Sequence, residues 1–181
     1  MKYYCPENKG EFFKLSQEFS GQQYSLLAGG TDLMPRFVHD TPLPEIIIDL
    51  KHLPGLNGIR EHEYEIEIGA LTTIQEIYES KLVKSRLHAL WQSTIDFAGV
   101  QIRNRATIGG NICNASPAGD TLPPLYALNA SLKLMSPDGM RVVPINDFIL
   151  APGKVDLKEG ELLKSIIVKT DQCESLFQKL G

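Results

Sequence analysis

The sequence predicts an α+β protein in two lobes, a small parallel α/β lobe over residues 1–55 and a mainly antiparallel second lobe over 56–171. Three observations predict it. Two short apolar runs without alternation, Ser25 to Ala28 and Ile46 to Leu50, are separated by a Gly-Gly step and a helical pattern, the mark of buried strands joined through a helix. From Glu63 onward apolar residues alternate with carboxylates, the mark of a strand with one face in water. Later, two apolar runs flank Pro137-Asp138-Gly139, a composition that closes a hairpin. At 181 residues, 43% of them hydrophobic, the chain can build one well-packed unit but not two large domains.

Taken in order, Asn8 and Glu11 form a capping box ahead of Phe12, Leu15 and Phe19 at helical spacing. Ser25 to Ala28 is a buried strand that stops at Gly29-Gly30, and Asp32 to Phe37 opens the next helix. Ile46 to Leu50 is β-branched and lies between Pro44 and Pro54, which suits a short second strand. On the strand starting at Glu63, Tyr64, Ile66 and Ile68 face the core, while Glu63, Glu65 and Glu67 make a solvated face. Thr73 and Glu76 cap a helix running through Ile77 and Val83. Leu87, Leu90, Trp91, Thr94, Ile95 and Ala98 define an amphipathic helix, with Trp91 in the core and Gly99 as its C-terminal cap. Pro123 and Pro124 fit the first turn of a helix through Leu128. Ala130 to Met135 pairs with Arg141 to Ile145 as a hairpin, and Leu162 to Lys169 is the last strand.

The charge balance excludes several functions. A net charge of -4 with scattered Lys and Arg leaves no basic footprint for nucleic acid. Cys5, Cys113 and Cys173 form no Cys-x-x-Cys pair and share no ligand spacing with His39, His52, His62 or His88, so they read as buried or incidental thiols. No membrane span and no signal core is legible, which points to the reducing cytoplasm.

The chemistry concentrates in two segments. Leu27-Ala28-Gly29-Gly30-Thr31-Asp32-Leu33 lies between a strand and a helix, where bare glycine backbone and unsatisfied N–H groups can meet a phosphate and the Thr31 hydroxyl can donate to it. The second segment, Val100 to Asp120, places Gly109-Gly110 ahead of Asn111, Asn114, Ser116 and Asp120, short polar side chains suited to hydroxyls and phosphates. Two such loops can clamp one diphosphate. Neither Gly-x-Gly-x-x-Gly nor a P-loop occurs. Arg103 and Arg105 can position the loop, pair with carboxylates or touch phosphate, a structural role being favoured.

These two segments resemble the FAD-binding subunit of the molybdenum hydroxylases, the family of xanthine dehydrogenase and aerobic carbon monoxide dehydrogenase flavin portions. Asp49-Leu50-Lys51-His52-Leu53-Pro54-Gly55-Leu56, Ile68-Gly69-Ala70-Leu71-Thr72-Thr73 and Glu161-Leu162-Leu163-Lys164-Ser165-Ile166 extend the resemblance from about Ser25 to the end of the chain. It implies the vanillyl-alcohol oxidase-type fold with FAD stretched between two lobes. The cofactor residues it implies are Leu27, Ala28, Gly29, Gly30, Thr31, Asp32 and Leu33 in the first loop, then Thr107, Gly109, Gly110, Asn111, Asn114, Ser116, Asp120 and Leu163. Gly110 and Asn111 would approach the diphosphate. Asn114, where many relatives carry Thr, would hydrogen-bond sugar or ribityl hydroxyls with Ser116 and Asp120. Leu163 would lie near a ring of the cofactor.

The resemblance further implies partners: a two-[2Fe-2S] iron-sulfur subunit, a molybdopterin-containing large subunit, and NAD or another acceptor for the electrons. No nucleophilic triad or paired carboxylates emerge, so the flavin would carry the chemistry. Residues 172–181 resemble the start of a C-terminal domain whose remainder is expected to be missing. That absence keeps two alternatives open, a non-catalytic partner-binding remnant and a stand-alone flavoenzyme of the same fold.

Overall fold

The computed structural model describes residues 1–36, 44–170 and 175–179. Phe37, the far end of one expected helix, as well as His39 and Cys173, lies outside the described residues. In the N-terminal lobe, β1 (Lys2–Tyr4), α1 (Lys9–Glu18), β2 (Tyr24–Leu27), the single turn α2 (Leu33–Arg36) and β3 (Ile46–Asp49) follow one another. The strands form a parallel sheet in the order β1-β3-β2. Central β3 is buried at every residue, as an apolar run without alternation demands. Phe12 and Phe19 of the first helical segment pack with Ile46 and Ile48.

β1 was not legible in the sequence. Lys2–Tyr4 has no apolar run, and it forms because β3 presents an unpaired edge, on which Lys2 aligns with Ile46 and Tyr4 with Ile48. Because all three strands are parallel, the turn after β2 and the segment after β3 leave the same sheet edge, the end where ligands of open α/β sheets bind. The cap of α1 is close to expectation: the Asn8 side chain accepts the Glu11 N–H at 2.9 Å. The Glu11 carboxylate, however, takes the N–H of Glu7 at 2.9 Å, one residue before the cap.

The second lobe contains β4 (Ile59–Glu61), β5 (Glu65–Gly69), α3 (Ile74–Glu79), α4 (Lys81–Arg86), α5 (His88–Ser93), α6 (Val100–Arg103), α7 (Ile108–Asn114), α8 (Leu122–Ala127), β6 (Ser131–Ser136), β7 (Gly139–Pro144), α9 (Ile145–Phe148), β8 (Ile149–Ala151), β9 (Lys154–Val155) and β10 (Leu162–Lys169). Its main sheet is antiparallel in the order β4-β5-β10-β6-β7. The helices cover one face around Ile66, Ile68, Leu132, Ile166 and Val168. At one corner of the sheet, Met135 and Leu162 join the core of the N-terminal lobe beside Phe12, Ile48 and Leu56. The lobes therefore share apolar packing. Among the described residues, no helix is long and apolar enough to cross a membrane.

Several expectations are corrected. The expected helix through Val83 divides at Ser80, whose hydroxyl caps a new helix by accepting the Val83 N–H at 3.2 Å. The helix expected to run to Ala98 ends at Ser93; the Ser93 and Thr94 hydroxyls donate to the carbonyls of Leu90 and Trp91 at 2.7 and 2.6 Å, a local competition that loosens the helix end. Gly99 is not its C-terminal cap but the N-cap of α6. Trp91 is half-buried rather than core, because its indole N–H reaches the Tyr78 carbonyl at 2.8 Å and its ring stacks on Tyr78. Tyr64, expected to face the core, is exposed because the strand begins only at Glu65. Nor is Glu67 part of a solvated face. It accepts from Ser165 at 2.5 Å and pairs with Lys133 at 3.5 Å, which, with the Ser165 bond first, holds its carboxyl below the usual carboxylate range despite burial.

Candidate functional site

The two glycine segments meet where the lobes touch. The backbone of Gly29 abuts the second lobe so closely that a Cβ there would lie 1.8 Å from the Arg105 carbonyl oxygen. Only glycine fits. On one side of this contact lies a cleft of about 340 Å³, and on the other a smaller pocket of about 210 Å³ lined by Lys51, Asn57, Asn104 and Arg105.

One wall of the cleft is the turn after β2. It carries Leu27, Ala28, Gly29, Gly30, Thr31, Asp32 and Leu33. Gly30 adopts φ +76, a left-handed conformation natural to glycine, and its carbonyl accepts the Met34 N–H at 2.9 Å to start α2. The N–H groups of Ala28 to Asp32 have no protein acceptor among the described residues. Consecutive N–H groups left open on a glycine turn make a concavity suited to an anion.

The opposite wall comes from Thr107, Gly110, Asn111 and Asn114. Here the expectation of a loop is corrected, since Gly109-Gly110 forms the first turn of α7. The start of that helix is sewn to the segment just after β5: Ile108 N–H bonds to Thr72 O at 3.0 Å and Gly109 N–H to Ala70 O at 2.8 Å. The Gly110 N–H goes to the Thr107 hydroxyl at 3.1 Å and the Asn111 N–H to the Thr107 carbonyl at 3.0 Å. These four donors are spent inside the protein. What this wall offers is side chains, chiefly Asn111 and Asn114; the Asn111 Oδ1 accepts from the buried Thr121 hydroxyl at 2.6 Å, leaving its NH₂ group.

The remaining expected residues stand elsewhere. Gly109 lies behind the wall, where a Cβ would meet Ala70 at 2.7 Å. Ser116 lines a separate pocket beside Leu122 and Tyr126 and accepts the Ala118 N–H at 3.2 Å. Asp120 does not line the cleft, and its carboxylate pairs with Lys179 at 3.0 Å. Leu163 is buried in the core of the second lobe, paired with Leu134 next to a register shift in β10. Arg103 takes a positioning role, with Nε on Gln75 and Nη1 on the Phe97 and Ala98 carbonyls.

Sequence reasoning missed Phe97, Ile102 and Ala106, which give the cleft an apolar end, and Arg36, which reaches across it. For Arg36 a signal existed, since Asp32 and Arg36 stand at the i,i+4 spacing of a helical ion pair. Phe97 carried none, as it falls within the helix expected to run to Ala98 but off its apolar spacing. Cys113 also lines the cleft, and burial pushes its thiol up to about 12, so it stays protonated and is no nucleophile. Among the described residues the ionisable lining is otherwise Asp32 and Arg36, paired at 2.6 Å, and none of these is set up as a general base.

A cleft between a parallel and an antiparallel lobe, with N–H groups open among the described residues at one wall, amide side chains at the other and an apolar end, has the features of a nucleotide-binding site. The chain belongs to the family described as the FAD binding domain in molybdopterin dehydrogenase, whose model matches residues 1–169. It is 40% identical over 142 residues to the xanthine dehydrogenase FAD-binding subunit of Escherichia coli O157:H7, covering 78% of this chain and 49% of that one. It is 35% identical over 167 residues to the carbon monoxide dehydrogenase medium chain of Hydrogenophaga pseudoflava, covering 92% and 58%. A solved structure of carbon monoxide dehydrogenase from Hydrogenophaga pseudoflava superposes with a TM-score of 0.90 at 34% identity, covering 95% of this chain and 60% of that chain. The chain thus spans about half to three fifths of the length of these relatives.

Proposed function

We propose that the cleft holds FAD and that the chain serves as the flavin domain of a cytoplasmic molybdenum hydroxylase complex. In this reading an iron-sulfur subunit delivers electrons drawn from a molybdopterin-containing subunit, and NAD or another acceptor removes them. The observation that carries the reading is the row of N–H groups from Ala28 to Asp32, uncommitted among the described residues, facing amide side chains across a cleft with an apolar end. When bound, FAD supplies the exchange between one-electron and two-electron transfer.

The protein's own part is binding and orientation. The glycine turn supplies N–H donors to the diphosphate, and Thr31 adds a hydroxyl. Asn111 and Asn114 supply amide groups to phosphate or sugar oxygens. Phe97, Ile102 and Leu33 exclude water around a flat ring. Ser116, Asp120 and Leu163 belong to the proposal on resemblance alone, and Asp120 serves it only where its carboxylate accepts a hydroxyl in addition to Lys179.

Titration of FAD into the purified chain, followed by flavin fluorescence, tests the reading. Gly30→Val, which fills the turn, is expected to weaken binding strongly. Asp120→Ala is expected to cost roughly 1.5–3 kcal/mol if its carboxylate contacts the cofactor, and Glu63→Ala to change nothing. Equal affinity for all three variants would reject both loops as the site.

A further inference from the structure

Among the described residues two formal charges line the cleft, Asp32 and Arg36. A dinucleotide diphosphate brings two negative charges, and the open N–H groups of the glycine turn carry only partial positive charge. Among the described residues Arg36 is the cation that lines the cleft; Lys51 and Arg105 face the neighbouring pocket, across the contact between Gly29 and Arg105. Arg36 also has an unusual position. Its Nη2 donates to Asn114 Oδ1 on the opposite wall at 2.8 Å and lies 2.6 Å from Asp32 on its own wall. The side chain spans the two walls while remaining 55% exposed.

We propose that Arg36 is a diphosphate-binding residue and a clasp between the walls, an inference that rests on the FAD reading above. A guanidinium has five donors in a planar fork. Asp32 and Asn114 engage Nη2, so among the described residues the Nη1 and Nε donors remain for phosphate oxygens in charge-assisted hydrogen bonds. Asp32 then holds the guanidinium over the turn instead of binding the anion, and Asn114 ties it to α7. Arginine is required because an ammonium cannot bridge both walls and face a phosphate in fixed geometry.

The test compares FAD affinity of the whole chain, its Arg36→Gln and Arg36→Lys variants, and a Lys51→Gln control, at low and at high salt. Loss of the guanidinium is expected to weaken binding roughly tenfold at low salt, the size of a lost charge-assisted bond, with the gap narrowing at high salt. Arg36→Lys should fall between, and Lys51→Gln should match the parent chain. If Arg36→Gln bound FAD as tightly as the parent, or lost the same factor at both salt levels, Arg36 would be structural and the inference overturned, with the FAD reading intact. A parent chain that bound no FAD would overturn both. A Lys51→Gln loss equal to that of Arg36→Gln would move the diphosphate to the neighbouring pocket and also overturn it.

Discussion

The Gly-Gly steps at 29–30 and 109–110 share a dipeptide and flank one cleft, but their backbones meet opposite fates. After β2 the chain turns without becoming helical, and among the described residues the N–H groups from Ala28 to Asp32 remain open. At 109–110 the chain is already helical, and its donors are consumed by Ala70, Thr72 and Thr107. Within each step the two glycines divide their work as well. The first of each pair is pressed on protein, Gly29 on the Arg105 carbonyl and Gly109 on Ala70; Gly30 and Gly110 line the cleft, and Gly29 does so as well. A Gly-Gly motif is thus two requirements side by side, close packing between segments and access for a ligand. The turn provides donors and the helix provides a wall.

The sharpest break in this comparison is Gly29→Ala. Its methyl would stand 1.8 Å from a backbone oxygen, which no side-chain rotation relieves, so the lobes must separate locally. A loss of roughly 3 kcal/mol or more is expected, seen as a fall in melting temperature of roughly 6–12 °C. A melting temperature unchanged within a degree would show that Gly29 is not a packing glycine.

Gly109→Ala is expected to be milder, roughly 1–3 kcal/mol, because part of what it meets is the Ala70 side chain at 2.7 Å. Combining it with Ala70→Gly should restore part of the loss in a double-mutant cycle, whereas no side-chain change opposite Gly29 can do so. Strict additivity of the two changes would contradict the contact.

The smallest expected effect concerns the floor beneath the first turn. Asp49, 1% exposed, ends β3 opposite Leu27. Burial pushes its carboxyl up, but the Lys51 side chain, the Tyr3 hydroxyl and the Lys51 N–H outweigh burial and leave it below the ordinary carboxylate value. A folded pKa below the unfolded one gives stability that is present above the ordinary carboxylate pKa of 3.8 and fades as pH falls through the folded value. Tyr3, pushed from 10.0 up to about 12 chiefly by its bond to Asp49, behaves inversely: its contribution is full below pH 10.0 and fades as pH rises through about 12. Denaturant midpoints measured against pH should show Asp49→Asn flattening both limbs, and unchanged limbs would count against the triad of Tyr3, Asp49 and Lys51.

Much of the molecule was legible in residue order. The apolar run at 46–48 and the Pro137-Asp138-Gly139 turn determined a buried strand and a hairpin, because strand burial and turn conformation depend on local side chains. The Thr73 and Glu76 capping box was equally local and is present. So was the end of β2 at Leu27 ahead of the Gly29-Gly30 turn, since glycine frees the backbone to leave the strand there. Tertiary structure alone decided which glycines are pressed between segments, because that depends on Arg105 and Ala70, distant in sequence from Gly29 and Gly109 but in contact with them in the fold. It also decided that the second segment is a helix with satisfied donors, that Arg36 and Phe97 join the site, and that Ser116, Asp120 and Leu163 stand outside the cleft. Each of these rests on hydrogen bonds or contacts between segments distant in sequence, and no local pattern of residue types encodes where such partners will meet.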